Sequence, residues 1–156
     1  MSQYALENFG AYQKAKALFD FVAKDMATVM KDPQCYRLIA QQVASADSIC
    51  ANIEEGYGRL SRGEYVRFLD FARGSARETR GRYERMKHWL DEDVIRDRIS
   101  LADEIIAILT KTIETLRADL RNVPTKASYL KDEPAACHVP EDGFPPTLDP
   151  RHSSPD

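Results

Sequence analysis

Seven of the eight prolines in this chain lie at or after Pro124, and the eighth is Pro33. Proline lacks a backbone N–H and its ring clashes with the preceding turn, so it breaks helix interiors. The long stretch between Pro33 and Pro124 is therefore free to be helical, and the spacing of its apolar residues is that of helices. Tyr12, Ala15, Leu18, Phe19, Val22, Met26 and Val29 follow the i, i+3, i+4 rhythm of one buried face and predict a first helix over Gly10–Met30. Phe9 and Phe21 widen that face. Asp32 can cap a second helix and Pro33 suits its first position, so that helix is expected from Pro33 to Tyr57. Its core face is Leu38 or Ile39, Val43, Ala46, Ile49, Cys50 and Ile53.

Gly56 and Gly58 are expected to close this helix in the left-handed conformation that glycine tolerates. Ser61-x-x-Glu64 is a capping-box pattern that starts a third helix over Arg62–Leu90. Tyr65, Phe68, Leu69, Ala72, Ser75, Ala76, Thr79, Tyr83, Met86 and Leu90 are its stripe. Gly74 and Gly81 in its interior suggest a closely approaching backbone, or plain tolerance of a residue that costs about 1 kcal/mol in a helix. Asp91-Glu92-Asp93 places negative charge at the start of a fourth helix, where the helix dipole favours it. That helix is expected to run to Arg121 on Ile95, Ile99, Ala102, Ile105, Ile106, Leu109, Ile113, Leu116 and Leu120.

No segment alternates apolar and polar residues as a half-buried strand does. The expected fold is all-α: an antiparallel up-down-up-down four-helix bundle over residues 1–121, joined to a Pro-rich acidic tail, 122–156, without fixed structure. Apolar residues beyond one face on the first and fourth helices, Leu101 and Ile108 among them, point to a homo-oligomer.

Composition limits the function classes. The longest apolar run, Ile105–Leu109, is far short of a membrane span, and the N-terminus lacks the basic start and apolar run of a signal peptide. A cytoplasmic protein without a membrane partner is expected. Cys35, Cys50 and Cys137 are odd in number and have no metal-like spacing, which argues against a disulfide framework. A di-metal bundle site needs Glu-x-x-His on two helices, and His88 has Arg85 three residues before it. Neither a glycine-rich phosphate loop nor a nucleophile elbow is present. No metal, no cofactor and no catalytic residue is expected.

Charge is more informative. The chain carries a net −3, but from Arg59 to Lys87 nine basic residues face four acidic ones, a local +5. Arg73, Arg77 and Arg80 fall at i, i+4 and i+7 on one stripe, with Arg62 at the helix start, Arg85 beside the stripe and Lys87 beyond it. Two readings stay open: a solvated face making i, i+4 pairs, or a phosphate-binding surface, which the preference for arginine over lysine suits. Asn52, Glu55, Gly56, Arg59, Ser61 and Glu64 read as a polar network that fixes the corner between the second and third helices, with Arg59 or Arg67 available to Glu55. An acid–base site at Glu55 and Asn52 is the lesser alternative.

The run Asn52-Ile53-x-Glu55-Gly56-x-x-Arg59-x-Ser61-x-x-Glu64-Tyr65-x-Arg67-Phe68-Leu69-x-x-Ala72-x-Gly74-Ser75-x-x-Glu78 resembles the four-helix-bundle proteins encoded by intervening sequences of bacterial large-subunit ribosomal RNA genes. Tyr12-Gln13-Lys14-Ala15 and Leu18 are similar to that family's first-helix opening. Its relatives include accessory proteins of diversity-generating retroelements. The resemblance implies a non-enzymatic, ring-like homopentamer with a basic surface for RNA or DNA, and, for the retroelement relatives, a reverse transcriptase as partner. The family usually carries basic residues where this chain reads Gln41-Gln42-Val43-Ala44-Ser45, and alanine where Glu54 stands. Both departures shift the expected contact surface to the third helix.

Overall fold

Four helices hold most of residues 6–122, the part of the chain that the computed structural model describes. They are α1 (Gly10–Val29), α2 (Tyr36–Tyr57), α3 (Arg62–Arg85) and α4 (Glu92–Asn122), with a 3-10 turn at Pro33–Cys35. α1 packs on α2, α2 on α3, α3 on α4, and α4 back on α1, which closes an up-down-up-down bundle. α3 makes the two broadest of these interfaces. The expected tail, residues 122–156, lies outside the described residues apart from Asn122, the last residue of α4.

The helix starts obey local chemistry. Asp32 accepts from the Gln34 N–H at 2.9 Å and Pro33 takes the first position, but what they open is the 3-10 turn, and α2 proper begins at Tyr36. Ser61 is extended and its hydroxyl accepts from the Glu64 N–H at 3.1 Å. The return contact of the expected capping box is made differently: the Ser61 hydroxyl donates to the Glu64 carboxylate at 3.3 Å.

Two helix ends correct the sequence expectation. Gly58 caps α2 at φ −75°, ψ −9°, an ordinary right-handed conformation, so no left-handed glycine closes this helix. Gly56 is needed for space. A Cβ there would lie 2.8 Å from the Phe68 Cβ and 3.1 Å from the Tyr65 ring, so its absence lets α2 and α3 meet at the corner. α3 ends at Arg85 instead of Leu90, because the Met86 N–H turns to the Tyr83 carbonyl three residues back at 3.0 Å. Buried Met86 keeps the apolar rhythm while the chain leaves the helix.

The core is built from Leu18, Val22 and Met26 of α1, Ile39, Ala46, Ile49 and Ile53 of α2, Val66, Leu69, Ala72, Ala76 and Tyr83 of α3, and Ala102, Ile105, Leu109 and Ile113 of α4. Val66 takes a place that the expected stripe assigned to Tyr65 and Phe68, both only half-buried. The close approach of α3 runs through Ala72 and Ala76, whereas a Cβ on Gly74 would meet nothing within 4 Å. Leu101, Ile106 and Ile108 of α4 are packed part-way against the core, so the apolar surplus of that helix is half covered inside the bundle.

Two polar links cross the core. Asp25 of α1 accepts from the Tyr83 hydroxyl at 2.8 Å and from Arg98 Nε at 2.9 Å, and the Arg98 guanidinium lies 4.0 Å over the Phe21 ring. On the other side, Thr79 donates to the Ser45 hydroxyl at 2.9 Å and the Gln42 amide donates to the Thr79 carbonyl at 3.2 Å. Burial, then the bond to Asp25, pushes the Tyr83 phenol well above its ordinary range. The folded chain holds this phenol neutral, while the unfolded chain lets it ionise at about pH 10. Its contribution to stability is intact below that pH and declines above it by about 1.4 kcal/mol per pH unit. Urea unfolding of Tyr83→Phe between pH 9 and pH 11 should show a flatter alkaline decline than the parent; parallel declines would contradict the burial argument.

Candidate nucleic-acid interface

α3 carries seven arginines, Arg62, Arg67, Arg73, Arg77, Arg80, Arg82 and Arg85, against Glu64, Asp70, Glu78 and Glu84. Their spacing does not reveal which of these charges face water, and the bundle sorts them into two groups.

The first group is held. Arg73 is 18% exposed, paired with Asp70 on its own helix, and donates to the Thr110 hydroxyl of α4 at 3.4 Å. Arg80 donates from Nε to Asp103 of α4 at 2.7 Å and from Nη1 to Glu84 at 2.6 Å. These bonds, that to Asp103 foremost, hold the Arg80 guanidinium further above its ordinary range. Arg82 pairs with Glu78 at 3.2 Å and its side chain is 15% exposed. Arg73 and Arg80 thus form part of the seam between α3 and α4, where each phosphate contact competes with a carboxylate already in place.

The second group is uncommitted. Arg67, Arg77, Arg85 and Lys87 are exposed, and among the described residues none has a carboxylate within ion-pair distance. Arg67 and Arg85 are eighteen residues apart, about five helical turns, so they project from the same side of α3 roughly 27 Å apart. Arg62 is intermediate: it reaches Asp119 of α4 only at 3.9 Å and its side chain is 62% exposed. Helical spacing alone singled out Arg77, Arg85 and Lys87 together with Arg73 and Arg80, and it did not single out Arg67.

The corner residues lie together but do different work. Asn52 is half-buried and donates back to the Ser48 carbonyl at 2.7 Å within α2. Glu55 is exposed and pairs with Arg59 one turn on, with Arg67 elsewhere. Arg59 also lies 4.9 Å over the Phe68 ring. Glu54, by contrast, reaches α1, where it accepts from the Tyr12 hydroxyl at 2.7 Å. An open depression of about 500 Å3 lies against Ala51, Glu54, Glu55, Gly58 and Arg59. Each of its carboxylates already has a partner, and the Cys50 thiol nearby in sequence is pushed up to about 11 by burial and by Glu54. Among the described residues no group of three or more His, Cys, Asp or Glu side chains is placed to hold a metal ion, and no helix is long and apolar enough to cross a membrane.

Gln42 and Ser45 are buried links to Thr79, so the polar stretch in the middle of α2 is partly core. Only Gln41 and Ala44 there are exposed.

These features define an all-α, up-and-down four-helix bundle with an arginine-rich third helix. The model of the 23S rRNA-intervening sequence protein family matches residues 7–111, and the chain belongs to that family. Among solved structures it is similar to a protein of unknown function from the S23 ribosomal protein family of Bacteroides thetaiotaomicron. That likeness has a TM-score of 0.63 at 20% identity and covers 66% of this chain and 97% of the other. It extends to the fold. No curated protein matches the chain.

Proposed function

We propose that the protein is a non-catalytic, cytoplasmic nucleic-acid-binding scaffold that grips phosphates with the uncommitted cations of α3. The observation that carries this reading is the exposure of Arg67, Arg77, Arg85 and Lys87 without carboxylate partners among the described residues. Fixed guanidinium groups on a rigid helix suit phosphate oxygens, and contacts of this kind set orientation without reading bases. The name of the family, tied to a ribosomal RNA intervening sequence, agrees in kind. Arg62 joins this surface by leaving its long contact with Asp119, whereas Arg73 and Arg80 hold the helix in place.

Assembly as a homo-oligomer, the pentamer implied by the resemblance included, would repeat this face around an axis. Exposed Met30 and Tyr36 flank Asp32, whose carboxylate accepts from the Trp89 indole at 3.2 Å, and this apolar end is the contact surface favoured for it. If the partner is instead the acidic face of a retroelement reverse transcriptase, the same arginines would meet protein and naked nucleic acid would not bind.

Binding of labelled RNA and DNA across a salt series separates these readings, with mass in solution measured on the same samples. Duplex affinity is expected to fall with log salt at a slope of about −0.9 per phosphate engaged. Reversing Arg77, Arg85 and Lys87 to glutamate should flatten that slope by about three units and weaken binding at least about tenfold. Absence of binding at about 50 mM salt would end the nucleic-acid reading.

A further inference from the structure

Phe71 projects from α3 with 47% of its surface exposed, on a side of the helix where Phe68 is its one apolar neighbour. The positions that share its face, at −4, −3, +3, +4 and +7, are Arg67, Phe68, Gly74, Ser75 and Glu78. The ring belongs to an ordered array that begins at the corner. Arg59 lies 4.9 Å over Phe68, Phe68 meets Phe71 edge-to-face at 6.0 Å, and the Arg67 guanidinium lies 5.4 Å from the Phe71 centroid. Two rings in edge-to-face contact are thus flanked by a guanidinium at each end. Beside it, Gly74 leaves open space: a Cβ there would meet nothing within 4 Å.

We infer that this ledge of Arg59, Phe68, Phe71 and Arg67 binds single-stranded nucleic acid, with an unpaired base stacked on Phe71 and the Arg67 guanidinium. The inference rests on the nucleic-acid reading above and names the form of nucleic acid. A self-association surface would need a broad apolar rim around the ring, whereas on this face Phe68 is the one apolar neighbour and the rest are Arg67, Gly74, Ser75 and Glu78. The positive charge is complementary to a phosphate backbone, and aromatic and guanidinium planes are the two groups on which unpaired bases stack. Gly74 lets a flat base come close to the helix backbone. A duplex keeps its bases stacked on one another and meets only the cations, so it gains nothing from the ring.

The test compares a labelled single-stranded oligonucleotide with a duplex of the same length by fluorescence anisotropy, with mass in solution measured for each protein. Phe71→Ala should weaken single-strand binding about tenfold and leave duplex binding unchanged. Phe71→Leu, apolar but without a ring, should lose as much as alanine, and Phe71→Trp should restore binding. Gly74→Leu, placed where an added Cβ meets nothing within 4 Å, should weaken the single strand by filling the approach to the ring. If the parent protein binds duplex and single strand but Phe71→Ala and Gly74→Leu bind as it does, the ledge is refuted and phosphate binding by α3 stands. If the parent binds neither, both readings fall. Full affinity in Phe71→Leu, or a change of mass in Phe71→Ala with affinity retained, would refute stacking and assign the ring to an apolar or self-association contact.

Discussion

Replacing Asp25 by alanine is expected to destabilise the bundle by about 3 kcal/mol, the scale for breaking a buried ion pair from one side. The carboxylate is held by Tyr83 of α3 and Arg98 of α4, so its loss strands two donors at once. The Tyr83 hydroxyl is left in the core without its acceptor, and Arg98, 16% exposed, is left with its charge uncompensated beside Phe21. Against a total stability of roughly 5–15 kcal/mol for a domain, this is a large fraction. The partial exposure of Asp25 and Arg98 at the bundle's edge keeps the loss at the lower end of the range. Replacing all three together, as Asp25→Leu with Tyr83→Phe and Arg98→Met, removes the stranded groups along with the bonds and should recover most of the loss. Urea unfolding midpoints of the two proteins check this. A loss below about 1 kcal/mol in Asp25→Ala, typical of a surface site, would show that the triad is not buried in the sense described.

Gly56→Ala and Gly74→Ala are expected to shift stability in opposite directions although both replace a glycine inside a helix. Alanine is favoured over glycine in helices by about 1 kcal/mol, and at Gly74 nothing opposes that gain. At Gly56 the added carbon falls 2.8 Å from the Phe68 Cβ, an atom fixed to the α3 backbone, and 3.1 Å from the Tyr65 ring. The two helices would have to separate at the corner, and overpacking of this kind costs about 1–3 kcal/mol, enough to reverse the sign. Gly56→Val, with two further methyl groups, should be worse again. Thermal unfolding of the three proteins gives the order directly. A Gly56→Ala protein as stable as Gly74→Ala would mean that α2 and α3 do not approach as closely as the structure places them.

Much of the fold was legible because helices are specified locally. The first helix was expected over Gly10–Met30 and spans Gly10–Val29, and the fourth was expected to reach Arg121 and reaches Asn122. Asp32 and Ser61 announced their caps because a side chain bonding to an N–H two or three residues on needs no distant partner. The end of α3 was missed because Met86 and Leu90 continue the apolar rhythm after the backbone has left the helix. Gln42, Ser45 and Asp25 gave no sign of burial, since a polar residue on the core face is tolerated only through a partner 34 to 73 residues away.

The site was legible as a concentration of arginine and not as a surface. By itself, the sequence determined that the third helix would carry more positive than negative charge and that Arg73, Arg77 and Arg80 would share a stripe. Both are properties of composition and of a 3.6-residue period. The tertiary structure alone decided that Asp103 and Thr110 of α4 stand opposite Arg80 and Arg73 and engage them. It likewise left Arg67, Arg77, Arg85 and Lys87 open and set Arg67 beside Phe71. A helical period says which side chains point together. Whether a charge is free depends on what another helix brings within a few ångströms of it, and that distance exists only once the bundle has closed.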